Sequence, residues 1–487
     1  MQYVLRSTII LLCLSLGACA VNPVTGRQDL SFMSEQEEIA LGKKTHQQVL
    51  QQYRVYDNPA LQNYVSQVGK KLAARSHRGN LDYRFTVLDS KEVNAFALPG
   101  GYIYITRGLM AYLKSEAELA AVLGHEIGHV TARHSVRQYS AQQLTSFGVL
   151  LGSLFIPGMN QAGSQLMQTF GAAILRGYGR DHELEADRLG AEYLARTNYN
   201  PEAMIDVISV LKDQEVFETE RARAEGREPR VYHGVFATHP ANDTRLQEVV
   251  GTAKSLTQQG TVNYVGHEEY MSLVDKLVFG DSPQEGIQRG QNFYHSDLDF
   301  ALTFPANWNV TNLPDRLIVS APKDEALLQI LAEAIDRRLT PRQFMIERLG
   351  LTNLDDESPL VINGFDAHTG ISVVKSDLGP RPVRFTVVYH GQHAFIFAGM
   401  ARESGRLPDY DPAFMKTAGS FHKLTAEERA QAQPLRINVI QADANTRFSA
   451  LASQSPVEKY PESQLRLLNA YYPKGEPRAG ELIKIVQ

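Results

Sequence analysis

Ser115-Glu116-Ala117-Glu118-Leu119-Ala120-Ala121-Val122-Leu123-Gly124-His125-Glu126-Ile127-Gly128-His129 is the stretch on which the reading of this 487-residue chain turns. Ser115 followed by Glu118 is a capping-box signature, and Leu119, Val122, Leu123 and Ile127 recur at helical spacing. A helix is therefore expected to start here, to pass through His129 and to continue beyond His134. Residues four apart share a helix face, so His125 and His129 can offer two imidazoles to one ion, with Glu126 beside them as general base. A catalytic zinc ion needs a third protein ligand from another element and an open position for water. The segment Arg180-Asp181-His182-Glu183-Leu184-Glu185-Ala186-Asp187 places Glu183 and Asp187 on one face of a second expected helix. Glu183 is the expected ligand. Asp187 is expected to accept the spare ring proton of a ligating histidine, which fixes its tautomer. Glu185 competes for the ligand position but projects well around the helix from that face. His134 reads as a surface residue and His182 as a solvated or hydrogen-bonded one. Gly124 and Gly128 each cost a helix about 1 kcal/mol, which points to close packing against a neighbouring element.

Working outward, residues 34–75 read as helix, opened by Ser34 with Glu37 and broken by Asp57-Asn58-Pro59. Tyr83 to Leu88 alternates as a strand does, Leu98-Pro99-Gly100-Gly101 turns, and Tyr102 to Ile105 is a second strand, so a small sheet precedes the histidine helix. The apolar stretch from Phe147 to Leu175 is interrupted by Gly152, Pro157-Gly158 and Gly163, which excludes an unbroken membrane span and suggests short helices or a lid. Helices are expected from about Asp181 to Arg196, after Asn200-Pro201, and after His239-Pro240 through Leu246.

His-Glu-x-x-His followed by Glu-x-x-Ala-Asp resembles the Ste24/HtpX-like metallopeptidases of family M48. Two more landmarks stand in the same order: Asn94-Ala95-Phe96-Ala97-Leu98-Pro99-Gly100-Gly101, and Thr238-His239-Pro240 with Arg245 downstream. The resemblance covers roughly residues 30–260 and is closest in kind to the soluble periplasmic lipoprotein members. It implies a mainly helical gluzincin-type peptidase domain with a small β-sheet. The expected cofactor is one Zn²⁺ held by His125, His129 and Glu183, and the reaction is metal-assisted peptide hydrolysis with Glu126 as base. His239 or Arg245 is expected to steady the oxyanion or close over the metal. Asn94, Ala95, Phe96, Gly101, Tyr102 and Ile103 are the expected substrate-binding residues. In that scheme Gly101 to Ile105 forms an edge strand beside the cleft and takes an extended polypeptide by strand addition.

A net charge of -5 with no basic block excludes the electrostatic footprint of a nucleic-acid binder. Residues 1–18 read as a secretory signal, with Arg6 ahead of a short apolar run, and Leu16-Gly17-Ala18-Cys19 resembles a bacterial lipobox. Cys19 is then an acylated anchor residue, and Ala20 after it matches lipoproteins sorted to the outer membrane. With only Cys13 and Cys19 in the chain, the mature protein has no internal disulfide. The expected order is a peptidase domain over 19–262, a linker over 263–290, an α+β domain over 291–425 and a small C-terminal unit over 435–487. Phe448 to Ala452, Leu467-Leu468-Asn469 and Leu482 to Val486 resemble a peptidoglycan-binding LysM module, with Ala444-Asn445-Thr446 standing where that family has Gly-Asp-Thr. The expected partners are unfolded or misassembled envelope polypeptides, a membrane through the lipid, and peptidoglycan through the C-terminal unit. A chaperone or cell-wall scaffold with an occluded peptidase site is the competing expectation.

Overall fold

Capping residues set the helices that surround the site. The computed structural model describes residues 19–138, 179–225, 248–255 and 263–487, apart from 27, 31–32, 249, 254, 314–315, 336–338, 352 and 377–378. The expected signal segment, the Phe147 to Leu175 stretch, and His239 with Arg245 lie outside the described residues. The chain divides into two compact units, one of residues 1–279 with 436–487 and one of residues 280–435.

In the first unit a short antiparallel pair, β1 (Cys19–Val21) and β2 (Gln28–Leu30), precedes α1 (Glu35–Gln52). Ser34 and Glu37 form the full capping box of α1, and Asn58 caps α2 (Pro59–Ala73), whose Pro59 needs no hydrogen-bond partner at the first helical position. Three strands follow: β3 (Arg84–Leu88), β4 (Ala95–Leu98) and β5 (Tyr102–Thr106). The Pro99-Gly100-Gly101 turn closes a β4–β5 hairpin pairing Leu98 with Tyr102, with positive φ of 75° at Gly100 and 94° at Gly101. β3 adds parallel to β5 on the other side, giving the order β3-β5-β4. The expected edge strand is therefore the central one. All five residues of β5 are buried, and β4 is the edge nearer the site.

Then come α3 (Arg107–Tyr112), α4 (Glu116–Thr131), α5 (Arg180–Arg196), α6 (Ala203–Ala224) and α7 (His267–Val274). Every residue of α4 from Ala117 to Thr131 is buried, so it is the hub of this unit. Ser115 caps α4 by accepting from the Glu118 amide, while the Glu118 carboxylate accepts from the Lys114 amide instead of closing the box on Ser115. α4 does not run past His134 as expected. It ends at Ala132, and Arg133 takes a left-handed φ of 54° that starts a new turn. For a non-glycine residue that conformation is unfavourable. It is offset by partly buried bonds from Arg133 Nε to Glu38 at 2.8 Å and from Nη2 to the Met33 carbonyl at 2.8 Å. Glu38 also takes Arg78 Nη1 at 2.7 Å, so α1 clamps the end of the histidine helix.

Residues 263–279, expected to be linker, instead carry α7 and β6 (Val278–Phe279). β6 pairs with the strand Leu435–Gln441, which pairs antiparallel with Leu482–Val486, Ile437 facing Val486. Between those two strands lie helices Phe448–Ala452 and Pro461–Leu468. The C-terminal segment thus keeps a strand-helix-helix-strand order, yet it is part of the first unit and not a free-standing domain. Lys484, fully buried, donates Nζ to the carbonyls of Ala111 at 2.6 Å and Leu113 at 2.8 Å. A chain truncated after residue 435 loses those bonds and the sheet that β6 joins. Its first unit is expected to lose a few kcal/mol, lowering the thermal midpoint by about 5–10 °C or abolishing a cooperative transition, as read by calorimetry.

The second unit combines strands and helices. Its seven-stranded antiparallel sheet runs Asn309–Leu313, Arg316–Ser320, Ala326–Ala334, His393–Ala401, Gly379–His390, Phe365–Ser376, Asp355–Ile362. Period-two alternation along His393–Ala401 sends Phe395 and Phe397 to one face, against helix Leu407–Gly419, and Ala394 and Ile396 to the other, against Phe344 and Met345 of helix Pro341–Glu347. Trp308 packs edge-on against Phe414 at the border of that core, as a structural residue does.

Candidate metal centre

α4 and α5 cross where their side chains are smallest. A Cβ at Gly128 would stand 2.9 Å from the Ala186 carbonyl oxygen, and one at Gly190 would stand 3.0 Å from the His125 amide nitrogen. This is the close neighbour that the helix-weakening glycines foretold. The approach puts the ligand faces of the two helices against each other, and His125, His129 and Glu183 converge, all three buried.

His125 Nε2 and His129 Nε2 are 3.0 Å apart, with Glu183 Oε2 3.6 Å from the first and Oε1 3.4 Å from the second. Donors on a tetrahedron about 2.0–2.1 Å from zinc stand roughly 3.3–3.4 Å from one another. Asp187 Oδ1 lies 2.8 Å from His125 Nδ1, so that nitrogen donates to the carboxylate and Nε2 is left with its lone pair turned inward. A lone pair, a second imidazole nitrogen and a carboxylate crowded at these separations suit a shared cation. Glu126, also buried, borders with His125 a cavity lined by Ala95, Val122, Met204, Val207, Ile208 and Leu211.

Of the expected substrate residues, Ala95 reaches this cavity. The Asn94 amide donates to Thr106 Oγ1 at 3.1 Å, and Phe96 stacks on Tyr104 at 4.8 Å on the sheet face that meets α1. Gly101, Tyr102 and Ile103 are buried in the turn and the central strand, so they have no free main-chain edge to offer.

One expectation around the ligands needs correction. His134 is not on the surface: its exposure is 0%, and its Nδ1 stands 2.7 Å from His129 Nδ1. The reversal at Arg133 folds it beneath His129. Glu185, which projects around the helix from the ligand face as expected, is engaged elsewhere. It accepts from His134 Nε2 at 3.1 Å and Arg137 Nη1 at 2.8 Å, and these bonds, that from His134 foremost, hold its carboxyl down to about 2. His182 stacks on His134 with centroids 4.3 Å apart and is half-buried; burial pulls its pKa down to about 4.

Two imidazoles from one helix, a carboxylate from the next and an adjacent glutamate are a donor set and base of the kind catalytic zinc sites use. Residues 59–253 match the family model of Peptidase family M48. Similar proteins include the beta-barrel assembly-enhancing proteases of Yersinia pestis, 30% identical over 248 residues covering 50% of this chain and 49% of that protein, and of Escherichia coli strain K12, 30% identical over 241 residues covering 48% and 47%. The mitochondrial metalloendopeptidase OMA1 of Schizosaccharomyces pombe is 27% identical over 230 residues, covering 47% of this chain and 64% of that protein. The chain spans about half the length of the beta-barrel assembly-enhancing proteases it matches. Among the described residues no helix is long and apolar enough to cross a membrane.

Proposed function

We infer that this protein is a zinc metalloendopeptidase that cleaves unfolded or misassembled cell-envelope proteins in the periplasm. The observation that carries the reading is the convergence of His125, His129 and Glu183 with Glu126 at the same buried helix crossing. Two imidazoles and a carboxylate suit zinc among the available divalent ions. When bound, zinc acts as a Lewis acid that makes water nucleophilic near neutral pH. Glu126 takes the proton of the attacking water and returns it to the departing amide nitrogen. Asp187 holds His125 in the tautomer that presents Nε2. His239 or Arg245, outside the described residues, serves the oxyanion.

The strand-addition surface moves from β5 to β4. Within its sheet β4 pairs only with β5, and Ala95 and Ala97 border the cavities beside His125 and His129. An extended chain laid along this edge is bound through main-chain bonds, which suits unfolded substrates of varied sequence. The apolar cavity beside Glu126 favours an apolar side chain next to the scissile bond. Acylation at Cys19 tethers the enzyme, and the outer membrane is the proposed site.

The zinc-loaded chain beginning at Cys19, incubated with an unfolded outer-membrane β-barrel protein, is expected to fragment it, with cleavage stopping on chelation. Zinc-loaded chain that leaves the unfolded substrate intact overturns the reading. The strand-helix-helix-strand order of the C-terminal segment favours a second reading, a peptidoglycan-associated scaffold. An inert chain that sediments with peptidoglycan would support it.

A further inference from the structure

The spare nitrogen of His125 is held by Asp187, but that of His129 faces another histidine, and the order of atoms beyond it is informative. Glu185 lies 3.1 Å from His134 Nε2 and also accepts from Arg137 Nη1 at 2.8 Å. A carboxylate can only accept, so His134 carries its proton on Nε2 and presents a lone pair at Nδ1. His129 Nδ1, 2.7 Å from that lone pair, must then be the donor, which leaves His129 Nε2 unprotonated toward His125 and Glu183. The reverse arrangement would place the proton of His129 on Nε2, where it blocks ligation.

We propose that His134, seated on Glu185 and Arg137, is a positioning residue that sets the tautomer of His129 and thereby the affinity of the site for its metal. The chain Arg137–Glu185–His134–His129 does for one ligand what Asp187 does for the other, using an imidazole acceptor where the first uses a carboxylate. Its parts come from three places: His129 from α4, His134 and Arg137 from the turn beyond Arg133, and Glu185 from α5. His134 is fully buried and covered by the His182 ring at 4.3 Å, so water does not compete for the Nδ1 contact. This inference rests on the metal reading above and concerns affinity, not the chemical step.

The test is zinc affinity of the full chain by chelator competition, with the thermal midpoint of the metal-free form measured alongside. His134→Phe keeps a ring but offers no acceptor, and is expected to weaken zinc binding about 10–100-fold. His134→Asn restores an acceptor near the Nδ1 position and is expected to recover most of the loss. Glu185→Ala frees His134 to take the other tautomer and is expected to cost about 10-fold. If His134→Phe does not fold, Glu185→Ala decides. Folded His134→Phe or Glu185→Ala chains that bind zinc within about 2-fold of the native chain overturn the proposal, as does an asparagine variant no better than the phenylalanine one. A native chain without zinc affinity brings down the metal reading itself, and His125→Ala in the same titration separates that failure from this one.

Discussion

Glu126→Gln is expected to leave zinc bound while lowering peptide hydrolysis by about 10²–10⁴-fold. Glutamine has the same shape as glutamate, so the buried position beside His125 is kept and no cavity opens. What is lost is basicity, since an amide cannot take a proton from water near neutral pH. Glu126 does not belong to the converging trio of ligand atoms, so affinity should move little. The fold-change corresponds to roughly 3–5.5 kcal/mol of transition-state stabilisation. Steady-state cleavage of a denatured protein, with zinc content measured on the same preparation, separates the two effects. Undiminished cleavage would place the base elsewhere.

Glu183→Gln is expected to abolish zinc-dependent stabilisation. A neutral amide oxygen is a much weaker donor to zinc than a carboxylate, and with only the two imidazoles left the site loses its third anchor. A ligand present at a hundred times its dissociation constant stabilises the folded state by about 2.7 kcal/mol, or roughly 5–10 °C in midpoint for a unit of this size. The native chain should show that rise on adding zinc and the variant almost none. Glu183 is fully buried, so the isosteric change is chosen to keep the α4–α5 crossing filled. A variant that keeps the full zinc-dependent rise would remove Glu183 from the ligand set.

The convergence of His125, His129 and Glu183 was legible in the sequence because its determinants are local. Spacing of four on a helix brings His125 with His129, and Glu183 with Asp187, to common faces whatever the rest of the chain does. Gly124 and Gly128 announced the close crossing for the same reason. His134 was misread because its position depends on the chain reversal at Arg133, which is held by Glu38 on another helix. Nothing near Arg133 in the sequence marks that turn, since a left-handed arginine carries no glycine signal. The partners of Glu185 also come from beyond the reversal, so they were equally hidden.

The sheet shows a similar limit. Alternation identified the strands and Gly100-Gly101 the turn, but strand order is a tertiary fact. The parallel arrival of β3 beside β5 decides which strand is left at the edge, and no residue in β5 states it. In the second unit, polar residues interrupt the apolar alternation of Asp355–Ile362 and Phe365–Ser376, so neither carries a clean strand signal. At the C-terminus the elements were legible, but not their union with the first unit. That union depends on β6, a strand too short to carry a pattern, and on a buried lysine that composition alone places at the surface.

Anomalous diffraction at the zinc edge, on crystals of the zinc-loaded chain, tests the central assignment most directly. One peak is predicted, about 2.0–2.2 Å from His125 Nε2, His129 Nε2 and a Glu183 carboxylate oxygen. A peak that omits Glu183, or the absence of any peak between the two rings, would contradict it.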